Sequence, residues 1–358
     1  MWDCSSARVS HYLLAAGNNH TCALTPSGAV KCWGMNHVGQ LGDGTTTRRN
    51  TATQVSGLTS GVVALSAGHD HACAVNSLGG VLCWGDVPRY SEAAKTVHIP
   101  TQVPELTSGV VAISSGNHHA CALTSAAEVR CWGSGSDLQL GSETAGSDVP
   151  ILVPLPLGEV TGVFSGRWTT CAIIAQSGVE CWGSNILRDS FPGRRDRSLE
   201  EATGPTAAPG DTSDVIAGSL AYQRACAITS AGGVRCWGAS GGGSELSDVP
   251  GLESGVASVS LSLSHACVLT SAGGVRCWGN NEFGQLGDGT TETDYSTIRT
   301  TQVSGLASGV AAIAVGEDHS CAIKLDGKVW CWGDNRRGQL GGGSLPFSLA
   351  PKLVSNFP

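Results

Sequence analysis

Fourteen of the fifteen cysteines form seven pairs with one fixed spacing, and they carry the most evident chemistry in this chain. In each pair the second cysteine follows the first by ten residues and begins a Cys-Trp-Gly tripeptide. The pairs are Cys22 with Cys32, Cys73 with Cys83, Cys121 with Cys131, Cys171 with Cys181, Cys226 with Cys236, Cys267 with Cys277 and Cys321 with Cys331. Thiols at such a constant separation could form disulfides, bind a metal ion or remain reduced.

The cysteine pairs mark repeats that position them. Successive first cysteines lie 41 to 55 residues apart, and the seven repeats cover nearly the whole 358-residue chain. Such a period is typical of arrays in which one repeat is a supersecondary unit that cannot bury its core alone. We therefore predict a single domain, with repeats at about 8–57, 58–105, 106–157, 158–210, 211–252, 253–305 and 306–358.

Short apolar runs separated by turn residues predict that each repeat is built of strands. Between the two cysteines, Gly28 and its counterparts suit the left-handed position of a three-residue hairpin loop. If residues 26–28 form that loop, Cys22 lies directly opposite Cys32, with Cβ atoms roughly 4.5 to 5.5 Å apart. We therefore predict one hairpin disulfide in each repeat, with zinc ligation or reduced thiols as the alternatives.

Every repeat also carries a tryptophan directly after its second cysteine. Because side chains alternate along a strand, these tryptophans point to the face opposite the cysteines. The set is Trp33, Trp84, Trp132, Trp182, Trp237, Trp278 and Trp332. A tryptophan that recurs in all repeats is typical of packing between repeats rather than of a ligand site.

Composition restricts the classes of partner and compartment. A formal net charge of −8 argues against a nonspecific nucleic-acid binder, and no apolar run reaches the length of a membrane span. Regularly paired cysteines favour an oxidising compartment. We therefore expect a secreted or otherwise extracytoplasmic monomer whose signal peptide has been replaced by Met1. Cys4 has no repeat partner, so it is either free or holds the N-terminus.

Several further motifs recur, and together they resemble one known family. These are Gly-x-x-His before the first cysteine, Trp-Gly after the second, Ser-Gly-Val at 60–62, 108–110 and 308–310, and Gly-Gln-Leu-Gly-Asp-Gly-Thr-Thr at 39–46 and 284–291. They resemble the regulator of chromosome condensation repeat family over essentially the whole chain. The resemblance implies an all-β, seven-bladed β-propeller, and the paired cysteines are most similar to exported bacterial members.

The resemblance does not select a function, because the family includes an exchange factor, a photoreceptor and a secreted inhibitor of an enzyme. The acidic charge and the predicted disulfides argue against nuclear exchange-factor activity. Of these three, the inhibitor, which binds through blade loops on one face of the ring, is the most similar to this chain. No residue of these proteins transfers to this chain by motif.

Five repeats place a histidine two residues before the first cysteine, namely His20, His71, His119, His265 and His319. We interpret them as structural, hydrogen-bonded to neighbouring backbone, with a functional role as the alternative. The two residues before this position differ in every repeat. The resemblance places them in a loop around the central opening, where we predict a ligand-binding ring.

Predicted members of this ring divide into two groups. Glu317, Asp318, His69, Asp70 and His118 form an acidic and imidazole arc, and Arg167, Trp168, Tyr222 and Gln223 face it across the opening. Arginine, tryptophan and tyrosine are enriched at binding hot spots. Ordinary solvated loop residues are one alternative, and a divalent metal bound by the histidines and carboxylates is another.

The longest departure from the repeat pattern runs from Ser184 to Asp214 and contains Arg188, Arg194, Arg195 and Arg197. It is either a solvated charged loop or a docking site for an acidic partner. No catalytic motif is present, and we predict no cofactor. We therefore predict a module that binds a protein or a glycan, with a metal-dependent lyase or hydrolase in the central opening as the alternative.

Overall fold

The computed structural model describes residues 13–87, 96–183, 204–221, 224–238, 246–293 and 299–358. Within these residues every regular element is a strand, and the strands form seven four-stranded antiparallel sheets. The strands of each sheet are adjacent in chain order. Each repeat is therefore one blade.

The first four blades have these strands. Blade 1 contains β1 (Leu14–Ala16), β2 (His20–Leu24), β3 (Val30–Gly34) and β4 (Arg49–Gln54). Blade 2 contains β5 (Val62–Ala67), β6 (His71–Asn76), β7 (Val81–Gly85) and β8 (Val97–Gln102). Blade 3 contains β9 (Val110–Ser115), β10 (His119–Thr124), β11 (Val129–Ser134) and β12 (Gly146–Leu152). Blade 4 contains β13 (Val160–Ser165), β14 (Thr169–Ile174), β15 (Gly178–Gly183) and β16 (Thr206–Ala207).

The last three blades continue the same order. Blade 5 contains β17 (Val215–Leu220), β18 (Arg224–Thr229), β19 (Val234–Gly238) and β20 (Ser247–Asp248). Blade 6 contains β21 (Val256–Leu261), β22 (His265–Thr270), β23 (Val275–Gly279) and β24 (Thr301–Gln302). Blade 7 contains β25 (Val310–Val315), β26 (His319–Lys324), β27 (Val329–Asp334) and β28 (Phe347–Leu353).

The first strands of the blades form the inner wall of a closed ring. Each inner strand packs against the inner strand of the next blade, and β1 packs against β25 and β26. Blade 1 and blade 7 also meet at the rim, where the Ala52 amide donates to the Ser355 carbonyl at 3.0 Å. The molecule is therefore a seven-bladed β-propeller, as predicted, and it closes by packing between two complete blades.

All seven predicted disulfides are present, one in each blade. The two cysteines of each pair lie opposite each other in the ladder between the second and third strands, with their Cα atoms 4.1 Å apart. The bonds join Cys22 to Cys32, Cys73 to Cys83, Cys121 to Cys131, Cys171 to Cys181, Cys226 to Cys236, Cys267 to Cys277 and Cys321 to Cys331. This pairing confirms the hairpin register for all fourteen residues and leaves none of them to bind zinc.

The hairpin turn between the paired cysteines needs a left-handed residue. This residue is Gly28 with a φ of 79° in blade 1 and Ala127 with a φ of 61° in blade 3. The third repeat has no glycine in this turn, and Ala127 adopts the left-handed conformation in its place. Cys4, the unpaired cysteine, lies outside the described residues.

The seven recurrent tryptophans pack between blades, which confirms the prediction that they serve in packing between repeats. Trp84 of blade 2, for example, is fully buried in one cluster with Leu41 and Val55 of blade 1. The disulfides stay within blades, whereas the tryptophan cores join neighbouring blades. Contacts between blades therefore depend on noncovalent packing.

Within the described ranges, three interfaces between blades carry an additional hydrogen-bond set that we call the clamp. At the interface of blades 6 and 7, His265 Nε2 lies 2.7 Å from the Ser320 hydroxyl. That hydroxyl donates to the Gln285 carbonyl at 3.0 Å, and the Trp332 indole N–H donates to the same carbonyl at 2.9 Å. The histidine and glutamine of one blade thus hold the hydroxyl and indole of the next.

The clamp recurs where the next blade supplies a hydroxyl after the histidine position. The interface of blades 3 and 4 uses His119, Thr170, Gln139 and Trp182. The interface of blades 7 and 1 uses His319, Thr21, Gln339 and Trp33. These histidines therefore bond a hydroxyl of the next blade, where the sequence led us to expect neighbouring backbone.

Candidate functional site

The loops between the inner and second strands surround the mouth of a central cavity of about 480 Å³. One backbone hydrogen bond closes this loop in each blade, such as the Gly17 amide to the His20 carbonyl and the Gly68 amide to the His71 carbonyl, both at 2.9 Å. In the six blades whose variable pairs the structure describes, these two residues form the tip of the loop. Because the closing bond recurs, these blades hold their variable pairs in equivalent places.

The first residue of each described pair lines the cavity. These residues are Asn18, His69, Asn117, Arg167, Leu263 and Glu317. The second residues lie outside the cavity lining, so Asp70, His118, Trp168 and Asp318 surround the mouth rather than face the opening. The ring is therefore two concentric sets of side chains.

In four blades a glycine lies before the variable pair and leaves room for the histidine that follows it, whereas blade 6 has Ser262 there. A Cβ on Gly68 would overlap Cε1 of His71, and Gly17, Gly116 and Gly316 are similarly placed against their own histidines. The buried imidazole thus occupies the space of a side chain at the glycine. This packing anchors both ends of the loop and leaves its tip free to vary.

His69 is the centre of a hydrogen-bond chain at the mouth. Its Nδ1 lies 2.8 Å from Oδ2 of Asp70, and its Nε2 lies 2.9 Å from Nδ2 of Asn18 on blade 1. In the neutral ring Nδ1–H donates to Asp70, and Nε2 accepts from the Asn18 amide. The hydrogen bond to Asp70 raises the pKa of His69, although burial opposes this change.

Asp70 also joins the mouth to the loop between the third and fourth strands of blade 1. Gln40 Nε2–H donates to Asp70 Oδ1 at 2.9 Å, and His37 Nε2 lies 4.0 Å from Oδ2. Burial favours a higher pKa for Asp70, but the His69 hydrogen bond and the nearby imidazoles outweigh it, and the pKa is lowered. Asp70 is therefore a carboxylate at neutral pH.

His118 and Arg167 continue this side of the mouth on blades 3 and 4. The His69 and His118 rings lie 6.2 Å apart, and burial lowers the pKa of His118. The Arg167 guanidinium lies 4.5 Å from the centroid of the Trp168 ring. Arg167 is exposed and Trp168 is half-buried, so this cation–π pair is accessible at the surface.

The acidic side of the mouth lies on blade 7. Ser264 Oγ donates to the Glu317 carbonyl at 2.7 Å and lies 3.3 Å from Oδ1 of Asp318. Burial raises the pKa of Asp318, and the neighbouring Glu317 raises it further. Leu263, which is 51% exposed, lies beside this side on blade 6.

Two of the predicted site residues, Tyr222 and Gln223, lie outside the described residues, as do Arg188, Arg194, Arg195 and Arg197 of the predicted insertion. Asn18 of blade 1, which the predicted arc left out, connects the acidic side to His69 through backbone and side-chain contacts. In the described part of the chain, no three His, Cys, Asp or Glu side chains are grouped so that they could hold a metal ion. The described geometry does not favour the metal alternative.

The sequence-based ring missed residues on the loops between third and fourth strands. Arg336 lies with its guanidinium 4.4 Å from the centroid of the Phe283 ring, which makes a second cation–π pair between blades 7 and 6. These loops leave the same end of the blades as the mouth loops, because His265 pairs with Gly279 in the ladder. The hairpin register that the paired cysteines define could therefore have placed these loops at the mouth.

The fold and the repeats define the class of protein, which is a seven-bladed propeller with variable loops around the mouth of its central cavity. Models of the regulator of chromosome condensation (RCC1) repeat match residues 13–40, 110–139, 256–285 and 310–339, and 27–75, 272–323 and 326–358. These ranges together cover more than half of the chain. The chain belongs to the RCC1 repeat family, and the matched ranges leave out residues 140–255, which include blades 4 and 5.

Curated relatives match over short segments. The Ultraviolet-B receptor UVR8 of Arabidopsis thaliana is 33% identical over 76 residues, which is 21% of this chain and 17% of the receptor. The human probable E3 ubiquitin-protein ligase HERC3 is 42% identical over 73 residues, 20% of this chain and 7% of the ligase. The match therefore spans less than a fifth of either relative.

Solved structures match over nearly the full length. Yeast RCC1 (Prp20), solved with Kap60, superimposes with a TM-score of 0.79 at 16% identity and covers 99% of this chain and 90% of that one. Human WBSCR16 has a TM-score of 0.75 at 20% identity, with 91% and 94% covered. At these identities the likeness establishes the fold. No helix in the described residues is long and apolar enough to cross a membrane.

Proposed function

We propose that this protein is a secreted binding module that uses the mouth of its central cavity to bind a protein or a glycan. The observation that carries the proposal is that the loops at the mouth share one backbone conformation but differ in the residues at their tips. One closing hydrogen bond recurs in every blade, whereas the two residues at the loop tip differ in every blade. A constant frame with variable tips is typical of a recognition surface.

Arg167 and Trp168 are the centre of the proposed surface. The exposed guanidinium lies over the indole, and Arg167 also lines the cavity. An aromatic ring with an adjacent fixed cation offers apolar area and a directional charge, which suits a protein loop or a sugar. His69, His118 and Asp70 extend the surface on one side, and Glu317 and Asp318 extend it beyond blade 1.

The family and the disulfides support the proposal independently of the mouth. A related yeast propeller, Prp20p, has been characterised for its binding to Gsp1p and histones. Seven disulfides are typical of an oxidising, extracellular compartment. A propeller fold that serves elsewhere in protein binding is here stabilised for such a compartment.

The test is a glycan array and a crosslinking screen against secreted proteins, followed by titration of each ligand with purified variants. We expect Arg167→Ala and Trp168→Ala each to weaken binding by about 1 to 4 kcal/mol, since both truncate the central pair without removing core contacts. The matched control is Leu78→Ala, which changes a side chain that is 77% exposed at the other end of β6.

The same titrations separate the mouth from the rest of the ring. A ligand that loses affinity with Leu78→Ala but not with Arg167→Ala or Trp168→Ala would show that binding uses the opposite face. Unchanged melting temperatures of the three variants confirm that affinity, and not folding, has been measured.

A further inference from the structure

Blade 2 lacks the clamp on both sides, although a buried histidine lies at each of its two interfaces. At the interface of blades 1 and 2, Ala72 occupies the position that Ser320 and Thr21 hold at clamped interfaces, and Ala120 does so at the interface of blades 2 and 3. Both alanines are fully buried. Neither can bond the histidine of the preceding blade.

The histidines at these two interfaces are consequently left without the clamp. His20 and His71 are 0% exposed, and no ring nitrogen of either has a hydrogen-bond partner among the described residues. The His71 backbone favours a higher pKa for His20, but neither ring nitrogen of His20 meets the distance and angle of a hydrogen bond. An imidazole that is fully buried without partners is rare in folded proteins.

Charged neighbours do not compensate for this burial. His20 faces Asp70, His69, His71 and His37, and only Asp70 favours its protonation among these side chains. His71 faces His20, His119, His118 and Asp70, of which again only Asp70 does so. Burial lowers the pKa of His20 to about 4 and that of His71 to about 3.

We propose that blade 2 is an acid-sensitive element of the ring, in which protonation of His20 and His71 loosens its contacts with blades 1 and 3 while the clamped interfaces stay closed. A protonated ring must find acceptors for two N–H groups, and the unclamped interfaces offer none among the described residues. Opening to water satisfies both groups. At a clamped interface the same opening must also break the bonds between histidine, hydroxyl and carbonyl.

The position of blade 2 connects this opening to the mouth. Asn18, His69 and Asp70 form their hydrogen-bond chain across blades 1 and 2, and His118 lies on blade 3. Loosening of blade 2 therefore separates mouth residues without breaking a covalent bond, because Cys73 and Cys83 are joined within the blade. The inference does not depend on the identity of any ligand.

Hydrogen–deuterium exchange of the intact protein at pH 7 and pH 5 tests the proposal, after correction for the intrinsic pH dependence of exchange. Opening should become about 10-fold more favourable per pH unit for each histidine that it exposes. The clamped histidines have lowered pKa values as well, so opening of both segments becomes more favourable at low pH. Because blade 7 must also break the bonds of the clamp, we expect residues 62–85 of blade 2 to open at least about 10-fold more than residues 310–334 of blade 7 at pH 5. Equal opening of both segments at pH 5 would overturn the proposal.

Two reciprocal variants determine whether the missing hydroxyl is the cause. The double variant that combines Ala72→Ser with Ala120→Ser supplies hydroxyls beside His20 and His71, and it should reduce the opening of blade 2 at pH 5. Ser320→Ala removes the hydroxyl beside His265 and should raise the opening of residues 310–334 at pH 5 towards that of blade 2. If either folded variant keeps the wild-type opening at pH 5, the proposal is wrong, and Ser320→Ala decides the matter alone should the double variant not fold.

Discussion

The interface of blades 6 and 7 holds a hydroxyl at Ser320 where the interface of blades 1 and 2 holds the methyl group of Ala72. Both interfaces bury a histidine completely, and in both the indole of the next blade donates to a glutamine carbonyl. Only the first joins the histidine to this carbonyl through a hydroxyl. His265 Nδ1 also lies 2.9 Å from the Ser262 hydroxyl, whereas both ring nitrogens of His20 lack partners among the described residues.

The difference shows that two interfaces that bury a histidine equally need not resist opening equally. Apolar packing is similar at the two interfaces, since Trp84 and Trp332 are both fully buried in interblade cores. The clamp adds directional bonds that must break together when an interface opens. A repeat protein can therefore vary the stability of its interfaces while it keeps the fold.

The largest expected effect is a loss of folding stability in acid. It tests the property that all five buried histidines share at clamped and unclamped interfaces, namely a lowered pKa. Burial lowers their pKa from 6.5 to about 3 or 4. The unfolded chain therefore binds protons between about pH 6.5 and pH 4 that the folded chain does not, and stability falls as the pH decreases through this window. Each histidine contributes up to about 1.4 kcal/mol per pH unit.

Urea denaturation followed by tryptophan fluorescence measures this effect. We expect the free energy of unfolding to be nearly constant between pH 8 and pH 7 and to be lower at pH 5 by on the order of 10 kcal/mol. A protein that is equally stable at pH 7 and pH 5 would show that the histidines titrate alike in both states, and the comparison of interfaces would lose its basis.

A glycine substitution should have the next largest effect, because Gly287 packs against the clamped indole. It has a φ of 69°, and a Cβ there would lie 2.6 Å from Nε1 of Trp332. We expect Gly287→Ala to destabilise the protein by about 2 to 4 kcal/mol through left-handed backbone and overpacking. Thermal and urea unfolding report the loss.

Gly251 is the matched control, since it has a φ of 79° but no atom within 4 Å of a built Cβ. Gly251→Ala should cost only the backbone part, about 1 to 2 kcal/mol. Equal losses in the two variants would mean that the contact between Gly287 and Trp332 adds nothing to the clamp.

The smallest expected effect isolates one hydrogen bond of the clamp. The Trp332 indole N–H donates to the Gln285 carbonyl, whereas Trp237 Nε1 has no partner among the described residues. Both substitutions to phenylalanine remove similar volume from a buried site. Trp332→Phe should therefore cost about 1 kcal/mol more than Trp237→Phe in urea unfolding. A larger loss for Trp237→Phe would contradict this assignment.

Much of the fold could be predicted because the repeats are regular. The ten-residue spacing of Cys22 and Cys32 implies their cross-strand pairing, and the alternation along β3 implies the opposite orientation of Trp33. The turn of blade 4 was less predictable, since Gln176 with a φ of 65° occupies a left-handed position there besides Gly178. A local change of loop conformation leaves little signal in the spacing of cysteines.

The position of the candidate site could be predicted from the sequence, but the contacts within it could not. Sequence variation within the chain indicated the pair at each loop tip, and the structure places the first residues of the described pairs around one cavity. It could not show that Asn18 bonds His69, or that Arg336 lies over Phe283. These contacts join residues of different blades, and no spacing within one repeat encodes them.

The sequence by itself determined the number of blades, their disulfides and the burial of their tryptophans, because each follows from periodicity within a strand or hairpin. Only the tertiary structure decided which histidines are clamped. Thr21, Thr170 and Ser320 are ordinary hydroxyl residues in the sequence, and they bond a histidine because ring closure brings the next blade's second strand against it. That proximity arises from the packing of whole blades, which local periodicity does not specify.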